Sequence, residues 1–153
     1  RKHLPYLDFD NARFPIYGGL LHPRGGTARH DAVAWVRHPN LADHPGHEPA
    51  KRMMPRGAGS IIVFGLKGGR DAGRTFIESV ELASHLANVG DAKTLVIHPA
   101  STTHSHISAE AMIEGGLSDD MIRLSVGLED FDDIKADFEM GFRAAAKFTK
   151  TKD

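Results

Sequence analysis

The sequence has no cysteine, no long apolar run and no excess of either charge, and each shortage excludes a class of protein. Without cysteine there is no disulfide framework, no cysteine-based zinc site and no thiol nucleophile. Uninterrupted apolar stretches, such as residues 61–64, fall far short of the roughly 20 residues that a membrane span requires, and the N-terminus has no signal-peptide pattern. The 19 basic and 20 acidic residues leave a net charge of -1, without the clustered basic excess of a nucleic-acid-binding protein. We therefore expect a soluble, cytoplasmic protein with neither a nucleic-acid nor a membrane partner.

The 153 residues fit a single domain, because a chain of this length buries a sizeable core. Residues 1–30 are rich in proline and glycine and show no sustained helical or strand period, which predicts an irregular N-terminal arm. From residue 31 to residue 148 short apolar runs alternate with amphipathic segments, which is typical of a domain that mixes strands and helices. Residues 149–153 are predicted to be a short tail.

The patterns predict strands and helices in alternation. In chain order they are a strand at 34–37, a brief helix ending near Met54, a strand at 60–66, a long helix at 71–88, a strand at 94–98, a short helix at 108–114, a strand at 121–126 and a long helix from residue 131. This order predicts an α+β fold of the α/β-like sandwich type, in which helices pack on one face of a sheet.

The two long helices carry clear apolar stripes. In the first, the stripe consists of Phe76, Val80, Ala83 and Ala87, and Gly90 lies where a helix stop belongs. In the second, Asp130 is the predicted N-cap, and the stripe consists of Phe131, Ile134, Phe138, Phe142 and Ala145. The acidic cluster at 129–133 is better explained as helix capping than as paired catalytic carboxylates, because carboxylates are stabilised at a helix N-terminus.

Arg123 is the most informative single residue, because it lies inside the short apolar strand at 121–126. A guanidinium at such a position is costly unless it reaches solvent or an anion. Its planar fork can bind a carboxylate through two parallel hydrogen bonds, so Arg123 could orient an amino-acid substrate. The pattern alone also allows a solvated arginine on the wet face of a half-exposed sheet.

Other polar groups give weaker signals. The stretch 98–106 carries three histidines among hydroxyl residues, and a second group comprises His38, His44, His47 and Glu48, but neither matches a standard zinc pattern, so no metal site is predicted. A serine-histidine-aspartate triad is not favoured, because the G-x-S-x-G elbow is missing. The glycines at 65–69 do not form a phosphate-binding loop and are read as a turn.

Four segments, taken in order, resemble the C-terminal domain of the Cys/Met-metabolism family of pyridoxal-phosphate enzymes. They are Gly-Ala-Gly-Ser-Ile-Ile-Val-Phe-Gly at 57–65, Asn-Val-Gly-Asp-Ala-Lys-Thr-Leu at 88–95, His-Pro-Ala-Ser-Thr-Thr-His-Ser at 98–105 and Arg-Leu-Ser-Val-Gly-Leu-Glu-Asp at 123–130. The last segment is similar across the whole family, including cystathionine lyases and synthases. The middle two are most similar to the O-acetylhomoserine sulfhydrylase branch, which replaces the acetyl group of O-acetyl-L-homoserine with sulfide to give homocysteine and acetate.

The resemblance implies a small, mostly antiparallel sheet with helices on one face, as in the C-terminal domain of fold-type I pyridoxal-phosphate enzymes. It implies that Arg123 binds the α-carboxylate of a small amino-acid substrate. It also places Thr94 among the substrate-binding residues, where relatives commonly carry a serine. Family members are usually homotetramers, so the resemblance further implies a homo-oligomer.

The same resemblance places the catalytic and cofactor-binding groups upstream. In the family, a domain preceding these segments supplies the Schiff-base lysine, the aspartate that pairs with the pyridine nitrogen, the stacking tyrosine and the phosphate-binding residues. The present sequence matches none of them, and pyridoxal-phosphate chemistry requires that lysine. We therefore expect no catalytic residue in this chain and no activity from it alone. The alternatives are a domain of the cystathionine γ-synthase or lyase type, and a non-catalytic binding or assembly module.

Overall fold

The computed structural model describes residues 30–55 and 57–148. The predicted arm, except for its last residue, and the predicted tail at 149–153 lie outside the described residues. Within the described part of the chain, no helix is long and apolar enough to cross a membrane.

The described residues form strands and helices in the following order. They are β1 (Val33–Arg37), α1 (His47–Met53), β2 (Ile61–Leu66), α2 (Gly69–Ser79), β3 (Ser84–His85), β4 (Leu95–Ile97), a 3₁₀ helix (Pro99–Ser101), α3 (Ala109–Glu114), β5 (Met121–Ser125), α4 (Phe131–Ala145) and a second 3₁₀ helix (Ala146–Phe148).

The strands form a five-stranded sheet in the order β1-β2-β5-β4-β3. The pairs β1–β2, β2–β5 and β5–β4 are antiparallel, and only the short β3 runs parallel to its neighbour β4. The prediction of a mostly antiparallel sheet is therefore confirmed.

The core lies between one face of this sheet and the two long helices. Phe64 pairs with Ile122, and Ile62 pairs with Leu124, so these four side chains point to the same face. All four are almost fully buried, together with residues of α2 and α4. The α2 side chain Phe76 packs against the α4 rings Phe138, at 5.6 Å between centroids, and Phe142, at 4.9 Å. The prediction of helices on one face of a sheet is confirmed by these contacts.

The opposite face carries the alternate residues of the same strands. Arg37 pairs with Val63, Val63 pairs with Arg123, and Arg123 pairs with Ile97, which makes one row across four strands. Trp35 lies on the same face, two residues before Arg37. We call the surface formed by Trp35, Arg37, Val63, Arg123 and Ile97 the open face, because most of these side chains remain at least partly exposed.

The predicted long helix at 71–88 is wrong in its second half. Helix α2 ends at Ser79, Val80 is extended, and residues 84–85 form strand β3. The cause is Asp137 of α4, whose carboxylate accepts hydrogen bonds from the backbone N–H groups of residues 81, 82 and 83 at 2.6, 2.9 and 3.0 Å. These bonds replace the helical ones that the segment would otherwise make. Gly90 consequently lies in a loop, with φ of 76°, and does not end a helix.

The final helix matches its prediction closely. Asp130 is the N-cap, and its side chain accepts a hydrogen bond from the N–H of Asp132 at 2.9 Å. The predicted stripe faces the core, with Ile134, Phe138 and Phe142 no more than 1% exposed. The short helix α3 likewise begins after a capping residue, Ser108, whose hydroxyl accepts from the N–H of Ala111.

Candidate functional site

Arg123 lies at the centre of β5 on the open face, with Val63 and Ile97 beside it on the neighbouring strands. Its side chain is half-buried. Its guanidinium Nη2 donates a hydrogen bond to the backbone carbonyl of Asn88 at 3.1 Å. The side chain is therefore held against a neighbouring loop and does not extend freely into water.

The loop that holds Arg123 runs from residue 86 to residue 94 and connects β3 to β4. The Asn88 side-chain oxygen accepts from the N–H of Val89 at 2.8 Å, and its amide nitrogen donates to Asp91 at 3.3 Å. Asp91 in turn accepts from the N–H of Lys93 at 3.1 Å. These local bonds give the loop a defined backbone conformation. Sequence reasoning missed Asn88, because it placed this residue at the end of a helix.

Thr94 ends this loop and is completely buried. Its hydroxyl donates to Glu129 Oε2 at 2.7 Å and accepts from the N–H of Gly127 at 2.9 Å, while its own N–H donates to Glu129 Oε1 at 2.7 Å. Gly127 must lack a side chain, because a Cβ there would lie 2.3 Å from the Thr94 nitrogen. The structure thus places the Thr94 hydroxyl among protein groups of the β5–α4 connection.

Glu129 has a different role from the one predicted for the acidic cluster at 129–133. Only Asp130 of that cluster caps α4 with its side chain, whereas the Glu129 carboxylate binds the backbone and hydroxyl of Thr94. The interpretation of Glu129 as a helix cap is wrong, because the two residues belong to different hydrogen-bond networks. The sequence gives no signal for this pairing across 35 residues.

The other end of the open face is organised around Trp35. Its indole Nε1 donates to Asp120 at 2.8 Å, and Asp120 also accepts from the hydroxyl of Ser118. The ring lies directly over Gly65, where a Cβ would come within 2.1 Å of the indole nitrogen. The guanidinium of Arg37 sits 4.8 Å from the Trp35 ring centroid, in a cation–π contact.

The histidine-rich stretch at 98–106 contains one structural histidine. His98 is fully buried and bonds through Nδ1 to the Ser101 hydroxyl at 2.8 Å and through Nε2 to the Asp119 carbonyl at 2.7 Å. Burial lowers the pKa of His98, because it penalises the charged imidazolium. His106, in the same stretch, is exposed.

The histidines of the second group also make local hydrogen bonds. The Nδ1 atoms of His38 and His44 accept from the N–H groups of Asn40 and Gly46, and His47 Nδ1 contacts the Pro39 carbonyl. Burial lowers the pKa of His38. Across residues 30–55 and 57–148, no group of three or more histidine, cysteine or acidic side chains is arranged to hold a metal ion.

Comparison with known proteins assigns this arrangement to a family. The family model for Cys/Met metabolism PLP-dependent enzymes matches residues 27–143, which is most of the chain. The chain belongs to this family. The matched region includes the whole sheet, helix α2, helix α4 up to residue 143, Arg123 and Thr94.

Similar proteins include a sulfhydrylase and a homocysteine synthase. The chain is 51% identical to O-acetyl-L-homoserine sulfhydrylase 1 of Thermus thermophilus over 119 residues, covering 78% of the chain and 28% of that protein. It is 47% identical to homocysteine synthase of Schizosaccharomyces pombe over 117 residues, covering 76% of the chain and 27% of that protein. The chain therefore spans little more than a quarter of the length of these curated relatives.

A solved structure has the same fold. The crystal structure of cystathionine γ-synthase from Xanthomonas oryzae pv. oryzae in complex with cystathionine has a TM-score of 0.76 and 33% sequence identity, covering 92% of this chain and 34% of that one. The α+β domain described above is therefore a domain of the fold-type I enzymes in the Cys/Met metabolism family.

The described residues of this family member do not by themselves fit pyridoxal phosphate, the cofactor of the Cys/Met metabolism family. The cofactor needs a lysine in a desolvated pocket, with groups that bind its ring and phosphate. The lysines of the described ranges all have exposed side chains; they are Lys51, Lys67, Lys93, Lys135 and Lys147. No reaction step is therefore assigned to residues of this chain through the cofactor.

Proposed function

We propose that this chain is the substrate-side, C-terminal domain of a pyridoxal-phosphate-dependent O-acetylhomoserine sulfhydrylase. Such an enzyme converts O-acetyl-L-homoserine and sulfide to homocysteine and acetate. The proposal rests on the fixed guanidinium of Arg123 on the open face, together with the names of the relatives at about half identity. Domain boundaries at 31–148, a cytoplasmic location and a homo-oligomeric assembly are part of the same proposal.

Arg123 is suited to bind the α-carboxylate of the amino-acid substrate. A guanidinium has five N–H donors in a planar fork, and the described residues show one of them used, on the Asn88 carbonyl. The remaining donors can make two parallel bonds to a carboxylate. Because the side chain is already oriented by Asn88, binding costs less conformational entropy than it would for a free surface arginine.

Thr94 is proposed to act on the same substrate through the position of its loop. Its hydroxyl and N–H bind Glu129, and its hydroxyl also accepts from Gly127. The residue thereby fixes the downstream end of the loop whose Asn88 carbonyl contacts Arg123. A serine at position 94 would retain both hydroxyl bonds, so Thr94→Ser is expected to have only a small effect on substrate binding.

A cystathionine γ-synthase type of reaction is the second candidate, because the solved structure of such an enzyme aligns with 92% of this chain. Both reactions use an amino-acid substrate whose carboxylate Arg123 would bind, so the arginine does not distinguish them. Assaying the protein that carries this sequence with sulfide and, separately, with cysteine as the acceptor decides between them. Homocysteine formed from sulfide supports the sulfhydrylase, and cystathionine formed from cysteine supports the alternative.

The role of Arg123 is tested by replacing it with alanine in the full-length protein that carries this sequence. We expect the Michaelis constant for the amino-acid substrate to rise at least about tenfold, which corresponds to about 1.4 kcal/mol of binding. Arg123→Lys should recover only part of this loss, because an ammonium cannot make the bidentate contact.

Arg143 provides the matched control, because it is an exposed arginine on α4, in the helical layer opposite the open face. Arg143→Ala removes the same charge and should leave the Michaelis constant unchanged. An Arg123→Ala variant that is folded and has an unchanged Michaelis constant would show that the proposed substrate contact is wrong.

A further inference from the structure

Two carboxylates from the polypeptide that follows β5 hold the β3 and loop segment that orients Arg123: one binds the residues before β3, and the other binds the end of the loop. Upstream, Asp137 of α4 accepts three backbone N–H groups from residues 81–83. Downstream, Glu129 accepts the N–H and the hydroxyl of Thr94. Between these two attachment points lies the carbonyl of Asn88, which contacts the guanidinium of Arg123.

The upstream attachment determines the path of the chain into the loop. Asp137 is only 3% exposed, so its bonds to residues 81–83 lie in a largely water-free environment where charged hydrogen bonds are strong. They hold the segment extended, and Ser84 then donates its N–H to the Thr94 carbonyl at 3.0 Å and begins strand β3. Asn88 follows three residues after β3 ends. Its position is therefore set by a carboxylate on the opposite, helical side of the sheet.

The downstream attachment determines where the loop returns to the sheet. Glu129 binds Thr94 twice, Thr94 binds Gly127, and the N–H of Leu128 donates to the Ala92 carbonyl at 2.8 Å. The loop is thus joined to the β5–α4 connection, which begins three residues after Arg123. The positions of the Arg123 guanidinium and of its acceptor, the Asn88 carbonyl, therefore both depend on the backbone that runs from β5 into α4.

We infer that Asp137 and Glu129 are positioning residues for the Arg123 guanidinium. Asp137 fixes the segment that leads through β3 into the 86–94 loop, and Glu129 fixes the end of that loop at Thr94, so that together they place the Asn88 carbonyl that orients the guanidinium for the substrate carboxylate. This inference rests on the proposed function, because it assigns the pair a role in substrate binding. It differs from a general stabilising role, because disturbing either carboxylate should alter Arg123 specifically.

The test compares Asp137→Asn and Glu129→Gln in the full-length protein that carries this sequence. Each variant keeps the shape of the side chain but turns one accepting oxygen into a donating NH₂ group, which cannot accept the N–H or O–H that faces it. At a temperature where the variants are folded, we expect the Michaelis constant for the amino-acid substrate to rise about threefold or more, with a smaller change in kcat. Glu129→Gln carries the test if Asp137→Asn does not fold.

Three further measurements separate positioning from general stability. Asp133→Asn makes the same change at an exposed position on the same helix and should leave the Michaelis constant unchanged. Hydrogen exchange should increase in residues 81–94 of the two test variants while strands β2 and β5 stay protected. In the Arg123→Ala background, Glu129→Gln should cause no further rise in the Michaelis constant, because the group it positions is gone.

The outcomes distinguish failure of this inference from failure of the proposed function. If Arg123→Ala raises the Michaelis constant but both test variants leave it unchanged, the positioning role is overturned and the substrate contact stands. If Arg123→Ala has no effect, the substrate contact fails. The positioning role of Asp137 and Glu129 is then tested by a crystal structure of the Glu129→Gln variant. If the Asn88 carbonyl has not moved and still accepts a hydrogen bond from Arg123, the inference is overturned.

Discussion

At the scale of single residues, His98 shows how a polar group can be part of a core. The Asp119 carbonyl can only accept a hydrogen bond, so His98 Nε2 must carry the proton, and Nδ1 then accepts from the Ser101 hydroxyl. The neutral imidazole satisfies both partners. It lies against α2 so closely that a Cβ on Gly73 would come within 2.5 Å of Nε2. His98 therefore connects the loop after β4, the turn before β5 and helix α2.

The lowered pKa of His98 predicts a loss of stability in acid. In the unfolded chain the histidine takes up a proton as the pH falls through its ordinary value of 6.5, whereas in the folded protein burial holds the pKa below that value. The unfolded state therefore binds more protons than the folded state in this window. The free energy of unfolding should be greatest above about pH 6.5 and should fall as the pH drops below it. Urea unfolding at pH 7 and pH 5 measures the difference.

Replacing His98 with glutamine tests this assignment. The variant should lose about 1–3 kcal/mol at pH 7, because the Asp119 carbonyl and Ser101 hydroxyl lose well-placed partners. It should also show a weaker dependence of stability on pH, with the remaining dependence coming partly from His38, whose pKa burial also lowers. His106→Gln, at an exposed position, is the control and should retain the full pH dependence. An undiminished pH dependence in His98→Gln would show that other groups cause it.

At the scale of secondary structure, the sequence predicts an element well when local pattern and tertiary contacts agree. Helix α4 has its cap, its acidic first turn and its apolar stripe in one continuous segment, so its prediction succeeded. The segment after Ser79 has an equally regular stripe, and Val80 and Ala83 are indeed buried. It is nevertheless not helical, because Asp137 binds its backbone from more than 50 residues away. Apolar spacing cannot report such a distant backbone contact, and Ala87, the last residue of the predicted stripe, is exposed as a result.

The same limit applies to the candidate site. Arg123 could be singled out because a guanidinium in an apolar strand conflicts with its local pattern. Asn88 and Glu129 could not, because the Asn88 contact uses a backbone carbonyl and the Glu129 contact joins segments 35 residues apart. Charged side chains that bind backbone carry no periodic signal.

The packing of α2 against α4 gives a prediction for Gly141. A Cβ on Gly141 would lie 2.7 Å from Phe76 Cδ2 and 3.0 Å from Val80 Cγ1, and the Phe76 ring is confined by Phe138 and Phe142. Alanine would gain up to about 1 kcal/mol of helix propensity, but overpacking a confined core costs about 1–3 kcal/mol. We expect Gly141→Ala to lower the free energy of unfolding in urea by about 1 kcal/mol or more.

The control for Gly141→Ala is Lys135→Ala, at an exposed position on the same helix. Its effect should stay within about 0.5 kcal/mol, since exposed substitutions rarely exceed that. A Gly141→Ala variant that is more stable than the parent would mean that helix propensity exceeds the steric cost and that the two helices can move apart.

At the scale of the whole molecule, the two faces of the sheet differ in what the chain itself provides. The helical face is closed by α2 and α4 around a cluster of buried aromatic rings. The open face instead carries two arginines in one row, and both are oriented by neighbours: Arg37 by the Trp35 ring and Arg123 by the Asn88 carbonyl. Among the residues that the structure describes, α2 and α4 cover only the other face of the sheet. Under the proposed function, the additional polypeptide of the longer enzyme would complete the binding site, since the curated relatives are more than three times as long as the region they share with this chain.

This asymmetry predicts how the isolated chain behaves with the family's cofactor. A Schiff-base lysine functions in a desolvated pocket beside groups that bind the cofactor's ring and phosphate, whereas the lysines of the described residues are exposed. The purified 153-residue chain, mixed with pyridoxal phosphate and then desalted, should therefore retain no stoichiometric visible absorbance. The full-length protein that carries this sequence serves as the comparison, and under the proposed function it should retain the absorbance. Stoichiometric retention by the chain that disappears in Lys93→Ala, the lysine of the loop beside Arg123, would show that this domain holds the cofactor by itself.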